Sequence, residues 1–139
     1  MPFTGPIEDR LAIRERYDSY ADASTAQDEE AYLACFHPDA VRIGQGAEVR
    51  GIDAIRESWR QVWGILDRMA FFSSIGAIVV GGDRATAHVN CREIIVLKGG
   101  EVWKVVGRYD DELMRQGDTW VFARRKYTML IDEKALAGG

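Results

Sequence analysis

Between about residue 69 and residue 131 the chain alternates apolar and polar residues almost without a break, a period that only an extended antiparallel sheet can use. In the stretch from Ala85 to Glu93 the odd positions are apolar until Glu93, and the even positions are polar. Successive side chains on a strand point to opposite faces, so Glu93 shares a face with Ala85, Ala87, Val89 and Cys91. A second such line runs Trp103, Val105, Gly107, Tyr109 and ends at Asp111, and a third runs Val121, Ala123, Arg125, Tyr127, Met129. Each apolar line thus carries a charge on the face that a sheet buries. An unpaired buried charge costs several kcal/mol, so these groups are expected to be paired, partly wet, or functional.

Four strands are expected near 69–80, 84–97, 101–115 and 119–131. Turns are expected at Gly81-Gly82-Asp83, Gly99-Gly100 and Gln116-Gly117-Asp118. The first half has a helical period. Ile13, Tyr17, Tyr20 and Ser24 share one side of a helix over 7–24. A short helix from Asp28, its N-cap, to Phe36 uses Ala31, Tyr32 and Cys35. His37-Pro38-Asp39 breaks the chain, Ala40 to Ile43 forms a short strand, and the Gly44-Gln45-Gly46 turn follows. Ile55, Trp59, Val62, Trp63 and Leu66 then form the stripe of a third helix over 52–66. Helices first and a meander afterwards predict an α+β fold with helices on one face of a curved sheet. One domain over 1–139 is expected, with residues 1–6 and 132–139 as loose termini.

The chain has 139 residues, 47% of them hydrophobic and 29% charged, which is globular composition. A net charge of −4 and the lack of a basic stripe argue against nucleic acid. No apolar run reaches the ~18 residues of a membrane span, and the N-terminus lacks the pattern of a signal peptide. Cys35 and Cys91 form no CxxC and are expected to be reduced, as in a cytoplasmic protein. His37 and His88, far apart in sequence, supply no metal-binding spacing, so no metal and no cofactor are expected.

The segments Phe36–Val41, Gly51–Arg56, Gly107–Leu113 and Trp120–Arg125, in the order α-α-β-α-β-β-β-β, resemble the SnoaL-like branch of the nuclear-transport-factor-2-like superfamily. Gly107–Leu113 is most similar to the scytalone dehydratase and hexachlorocyclohexane dehydrochlorinase group. The resemblance implies a cystatin-like cone, a curved antiparallel or mixed sheet wrapped around three N-terminal helices, with an apolar pocket open at one end. It also implies a homodimer through the outer sheet face, here lined by Thr86, His88, Asn90 and Arg92. In that group a helical Tyr precedes by five residues an Asp that orients a catalytic His. Tyr20 matches the Tyr, but Thr25 stands at the Asp position and Met69–Ser74 holds no His, so the dyad mechanism does not carry over.

Three residues are therefore expected to do chemistry. Glu93 serves as general base or acid, Tyr20 polarises an oxygen, and Arg125 stabilises developing negative charge. The wall of the pocket is expected from Phe71, Phe72, Cys91, Trp103, Val105, Tyr109, Tyr127 and Met129. Structural readings stand beside these: Arg125 paired with Glu93 or Asp111, Thr25 capping the second helix, and Trp59 and Trp63 in the core. The function implied is a cofactor-independent lyase or isomerase acting on a small apolar molecule, cyclic and polyketide- or terpenoid-like. The alternative is a non-catalytic small-molecule-binding or association domain.

Overall fold

The structure, a computed structural model, describes residues 2–133. Its elements in chain order are β1 (Phe3–Thr4), α1 (Ile7–Ala26), α2 (Glu29–Leu33), β2 (Phe36–Gly44), β3 (Ala47–Arg50), α3 (Ile52–Ile65), β4 (Leu66–Gly81), β5 (Arg84–Leu97), β6 (Val102–Gln116) and β7 (Thr119–Asp132). The seven strands form one sheet in the order β1-β4-β5-β6-β7-β2-β3. The β4–β7 meander is antiparallel, whereas β2 runs parallel to β7 and β1 parallel to β4. This is the α+β fold that the period change predicts, with three helices and a curved, mixed sheet.

The α1 stripe is Ile13, Tyr17, Tyr20, Ala23 and Ser24, all buried. It lies against β4 and β7, so the interior of the molecule is the space between this helix and the inner sheet face. Gln27 ends the helix in the left-handed conformation at φ 58°, its N–H donating back to Ala23 and Ser24 carbonyls. The Asp28 carboxylate then accepts from the Ala31 N–H at 3.1 Å and starts α2. In α3, Ile55, Trp59 and Trp63 are buried as the stripe predicts, but Val62 is 46% exposed.

The ends and the second helix differ from expectation. Phe3 and Thr4 are not loose, because they add an edge strand to β4 at Ile78 and Val79. Asp132 ends β7 and accepts from the Trp103 indole N–H at 2.8 Å. The rest of the expected C-terminal tail, 134–139, and residue 1 lie outside the described residues. The second helix stops at Leu33, and β2 begins already at Phe36. There Phe36 pairs with Phe122, and the Phe122 N–H donates to the Cys35 carbonyl at 2.8 Å. Cys35 and Cys91 are free thiols.

Bulges bend the sheet and reset which residues face inward. In β4 the register shifts between Ile75 and Ala77, leaving Gly76 without a partner, and the His88 imidazole occupies the space a Cβ there would need. In β7, Leu113 pairs with Phe122 and Glu112 with Arg124, so Ala123 is an extra residue. The expected line Val121-Ala123-Arg125 is therefore broken. Trp120 and Phe122 join the core before the bulge, and Arg125 faces inward after it. Val121 is buried outside the main core cluster.

Candidate functional site

Asp111 and Arg125 are opposite one another on β6 and β7, and both side chains are shut off from solvent. Arg125 donates from Nε to Asp111 Oδ1 at 2.8 Å and from Nη2 to Oδ2 at 3.0 Å, a two-pronged pairing. Tyr17 of α1 donates its hydroxyl to the same Oδ2. The guanidinium carbon lies 3.7 Å from the Tyr109 ring centroid, 4.0 Å from Phe122 and 4.4 Å from Tyr20. Rings of this kind attract a cation through their negative faces. Nη1 of Arg125 is left with no hydrogen-bond partner among the described residues.

Above this pair a cavity of about 460 Å³ opens between the inner sheet face and the three helices. Tyr20, Glu93 and Arg125, the three residues expected to do chemistry, all line it. So do Phe71, Trp103, Val105, Tyr109, Tyr127 and Met129 of the expected wall. Tyr20 and Tyr109 bring their hydroxyls within 3.4 Å of each other, and burial pushes both phenols up, so each stays a proton donor at neutral pH. Glu93 takes part in no ion pair among the described residues, so the expected alternative of a Glu93–Arg125 bridge does not occur; Arg125 is bound to Asp111 instead.

Two expected wall residues do not reach the cavity. Phe72 pairs with Arg92 on the outer face and is 60% exposed, while its neighbour Phe71 pairs with Glu93 on the inner face. Cys91 is buried one row below Glu93, beside Gly107. The Tyr127 ring lies over Gly107, where any Cβ would overlap it, and so takes the place on the wall that Cys91 would have had. Burial, and secondarily the charge of Glu93, push the Cys91 thiol up to about 12, so it stays protonated. Thr25 does not cap α2. Its hydroxyl accepts from the Phe71 N–H at 3.2 Å and ties α1 to the outer strand of the cavity wall.

The sequence reading missed several lining residues. Trp59 and Trp63 are both core and cavity wall, and Tyr32 stacks against Trp59 with centroids 4.2 Å apart. Val62 and Ile65, both exposed, form an apolar rim. Arg42 of β2 also lines the cavity. Ala40-Val41-Arg42-Ile43 shows no apolar–polar alternation, so its own strand gives no signal that Arg42 faces inward. Among the described residues no group of three or more His, Cys, Asp or Glu is placed to hold a metal ion. No described helix is long and apolar enough to cross a membrane.

The geometry fixes two expectations for stability. Asp111→Ala leaves the Arg125 charge buried without its partner and should cost about 3–5 kcal/mol in urea unfolding. Tyr17→Phe removes one hydrogen bond to the Asp111 carboxylate and should cost less, about 1.5–3 kcal/mol. Equal costs for the two would show that the ion pair is not the anchor. The second expectation concerns pH. Burial pushes the Glu93 carboxyl up from its ordinary range, opposed by the charges of Arg42 and Arg125. A carboxyl whose pKa is higher folded than unfolded lowers stability above the raised value and has no effect below the ordinary one. Glu93→Gln should therefore be more stable than the parent at neutral pH, and the gap should close as the pH falls into the ordinary carboxylate range. A gap that widens on acidification would contradict this.

Comparison with known proteins places these features in a wider group. Residues 6–126 match the SnoaL-like domain. A crystal structure from Novosphingobium aromaticivorans DSM, named a "putative aromatic ring hydroxylase", is 31% identical over 92% of this chain and 93% of its own, with a TM-score of 0.85. A "Putative Scytalone Dehydratase" from Novosphingobium aromaticivorans DSM 12444 is 18% identical, covering 91% and 87% of the two chains, with a TM-score of 0.84. A hexachlorocyclohexane dehydrochlorinase (LinA) type 2 is 16% identical over 91% and 88%, with a TM-score of 0.82. The last two likenesses are of fold alone. No curated protein matches the sequence. With the domain match covering nearly the whole chain, the protein belongs to the SnoaL-like domain family.

Proposed function

We propose that this chain is a cofactor-free lyase or isomerase that removes a proton next to an activating carbonyl on a small, largely apolar, ring-shaped molecule. The observation that carries the reading is Glu93: a half-buried carboxyl with no ion-pair partner among the described residues, in a cavity it shares with Tyr20 and Arg125. A carboxylate base works best with its pKa moved toward the operating pH, and burial moves Glu93 in that direction. Glu93 takes the proton, and the electron pair of the broken C–H bond moves onto the carbonyl oxygen. Tyr20, with Tyr109 behind it, donates a hydrogen bond to that oxygen, and the Arg125 charge stabilises the anion formed. The enolate then expels a leaving group from the neighbouring carbon, which is elimination, or regains the proton from Glu93 at another carbon, which is isomerisation.

Phe71, Trp103, Val105, Tyr127 and Met129 supply flat and flexible apolar contacts for a ring. The fold shared with a dehydrochlorinase and a scytalone dehydratase supports the elimination branch, and the 31% identical relative named for aromatic ring chemistry supports a cyclic ligand. One observation favours a second reading, that of a binding domain. Arg125 already spends both its forward nitrogens on Asp111, which leaves less of its charge for a reacting oxygen.

Deuterium exchange separates the two. Cyclic enolisable ketones incubated with the protein in D2O should lose their α-protons to exchange, read by NMR, and Glu93→Gln should abolish this while remaining folded. Saturable binding without any exchange, unaltered in Glu93→Gln, would establish the binding domain instead. The proposal also includes a homodimer through the outer face of β5, where Thr86, Asn90 and Arg92 are exposed. Light scattering at micromolar concentration should read twice the chain mass, and a clean monomer would remove that element.

A further inference from the structure

Arg42 and Arg125 are register partners on the parallel pair β2 and β7, so their side chains leave the sheet side by side on its inner face. Like charges directly opposite each other on neighbouring strands repel. Both guanidinium groups line the same cavity, yet only one carboxylate, Asp111, is bound to either of them. Arg42 is half-buried, and its side chain makes no ion pair or hydrogen bond among the described residues. Its surroundings are the Tyr32, Tyr20 and Tyr109 side chains, which are neutral at neutral pH. Glu93, the acid whose charge acts most directly with it across the cavity, is not within ion-pair distance.

Taking a guanidinium even partly out of water without an anionic partner is costly, and the cost grows when a second one stands beside it. An exposed arginine would escape by turning to solvent, but Arg42 stays on the wall, facing a space large enough for a ring-sized molecule. The missing partner is a second anion. A guanidinium fork presents parallel N–H donors at the spacing of two carboxylate oxygens.

We propose that Arg42 is the centre of a carboxylate subsite, so that the molecule taken into this cavity is an apolar ring bearing a carboxylate, gripped by Arg42 with its ring against the aromatic wall. This deepens the proton-abstraction reading by naming the substrate class, and it rests on that reading only for the chemistry that follows binding. Arg42 then sets both specificity and orientation. Holding the carboxylate at β2 directs the remainder of the ring toward Glu93 and Phe71, which are register partners on β5 and β4.

The test compares 2-naphthoate with 2-naphthamide, which share a ring system and differ in charge, by titration calorimetry. The parent protein should bind the carboxylate about tenfold tighter or more, as expected of a charge-assisted pairing, and added salt should reduce the preference. Arg42→Met, which keeps the apolar stem, should lose the preference while its affinity for the amide stays within about twofold. Arg42→Gln serves the same purpose where the Met variant fails to fold. Equal affinities in the parent, no naphthoate binding at all, or a preference that survives in these variants would each overturn the subsite. In Glu93→Gln the carboxylate preference should persist. A preference that persists with no ketone exchange even in the parent defeats the proton-abstraction reading and leaves the subsite standing, whereas exchange without any preference defeats the subsite alone.

Discussion

The bidentate pairing of Asp111 with Arg125 is the interaction on which the rest of the structure depends. It joins β6 to β7 at the floor of the cavity, and through the Tyr17 hydroxyl it fixes α1 at the same point. Apolar contacts would hold the helix to the sheet without choosing a register; a hydrogen-bonded ion pair with one geometry chooses it. Around it, Tyr20 touches Tyr32, Phe36, Phe71, Tyr109 and Phe122, so the aromatic shell of the core and the wall of the cavity are one continuous cluster. The floor is neutral as a pair, and that leaves the charges above it, Glu93 and Arg42, to set the electrostatics a ligand meets.

The same arrangement explains why the cavity persists. Trp59 and Trp63 of α3 pack against each other on one side, with ring centroids 5.6 Å apart, and Trp103 and Met129 line the cavity from the sheet ends. Exposed Val62 and Ile65 keep the rim apolar. A charged floor also resists collapse, since apolar side chains gain nothing by covering groups already sealed in their own pairing. A cavity of this kind discriminates by two independent features, the flatness of the ligand body and the placement of its polar end.

The four meander strands and the stripes of α1 and α3 were legible because their periods run over ten or more residues. Glu93, Tyr20 and Arg125 were legible as inward-facing for the same reason. What was not legible came from single-residue interruptions of those periods. Counting evenly back from the Gln116–Thr119 pair puts Asp111 opposite Arg124, and only the extra residue Ala123 moves the pairing to Arg125. The choice between Phe71 and Phe72 likewise depended on bulges in β4 at either end of the pair. Arg42 sits in a regular strand segment too short to show alternation, directly after a His-Pro-Asp sequence that reads as a break although it lies within β2. Cys91 had the correct face, but a ring from the strand beyond Gly107 covered it, which no property of its own strand records.

The bulge at Ala123 has a consequence for how such a chain can change over generations. Upstream of it β7 serves the core through Trp120 and Phe122; downstream it serves the cavity through Arg125, Tyr127 and Met129. Point substitutions at the cavity positions alter the lining one residue at a time and leave the scaffold as it is. Loss of the single codon for Ala123 would only close the bulge, since Leu113–Phe122, Glu112–Arg124 and Asp111–Arg125 would then pair without a break; drawing Ala123 into the ladder would instead bring Arg124 and Lys126 inward and expel the whole lining of this strand. The inheritance of this site thus depends on Ala123 staying out of the ladder, and the most unassuming side chain in the strand is the one that holds the reading frame of the cavity.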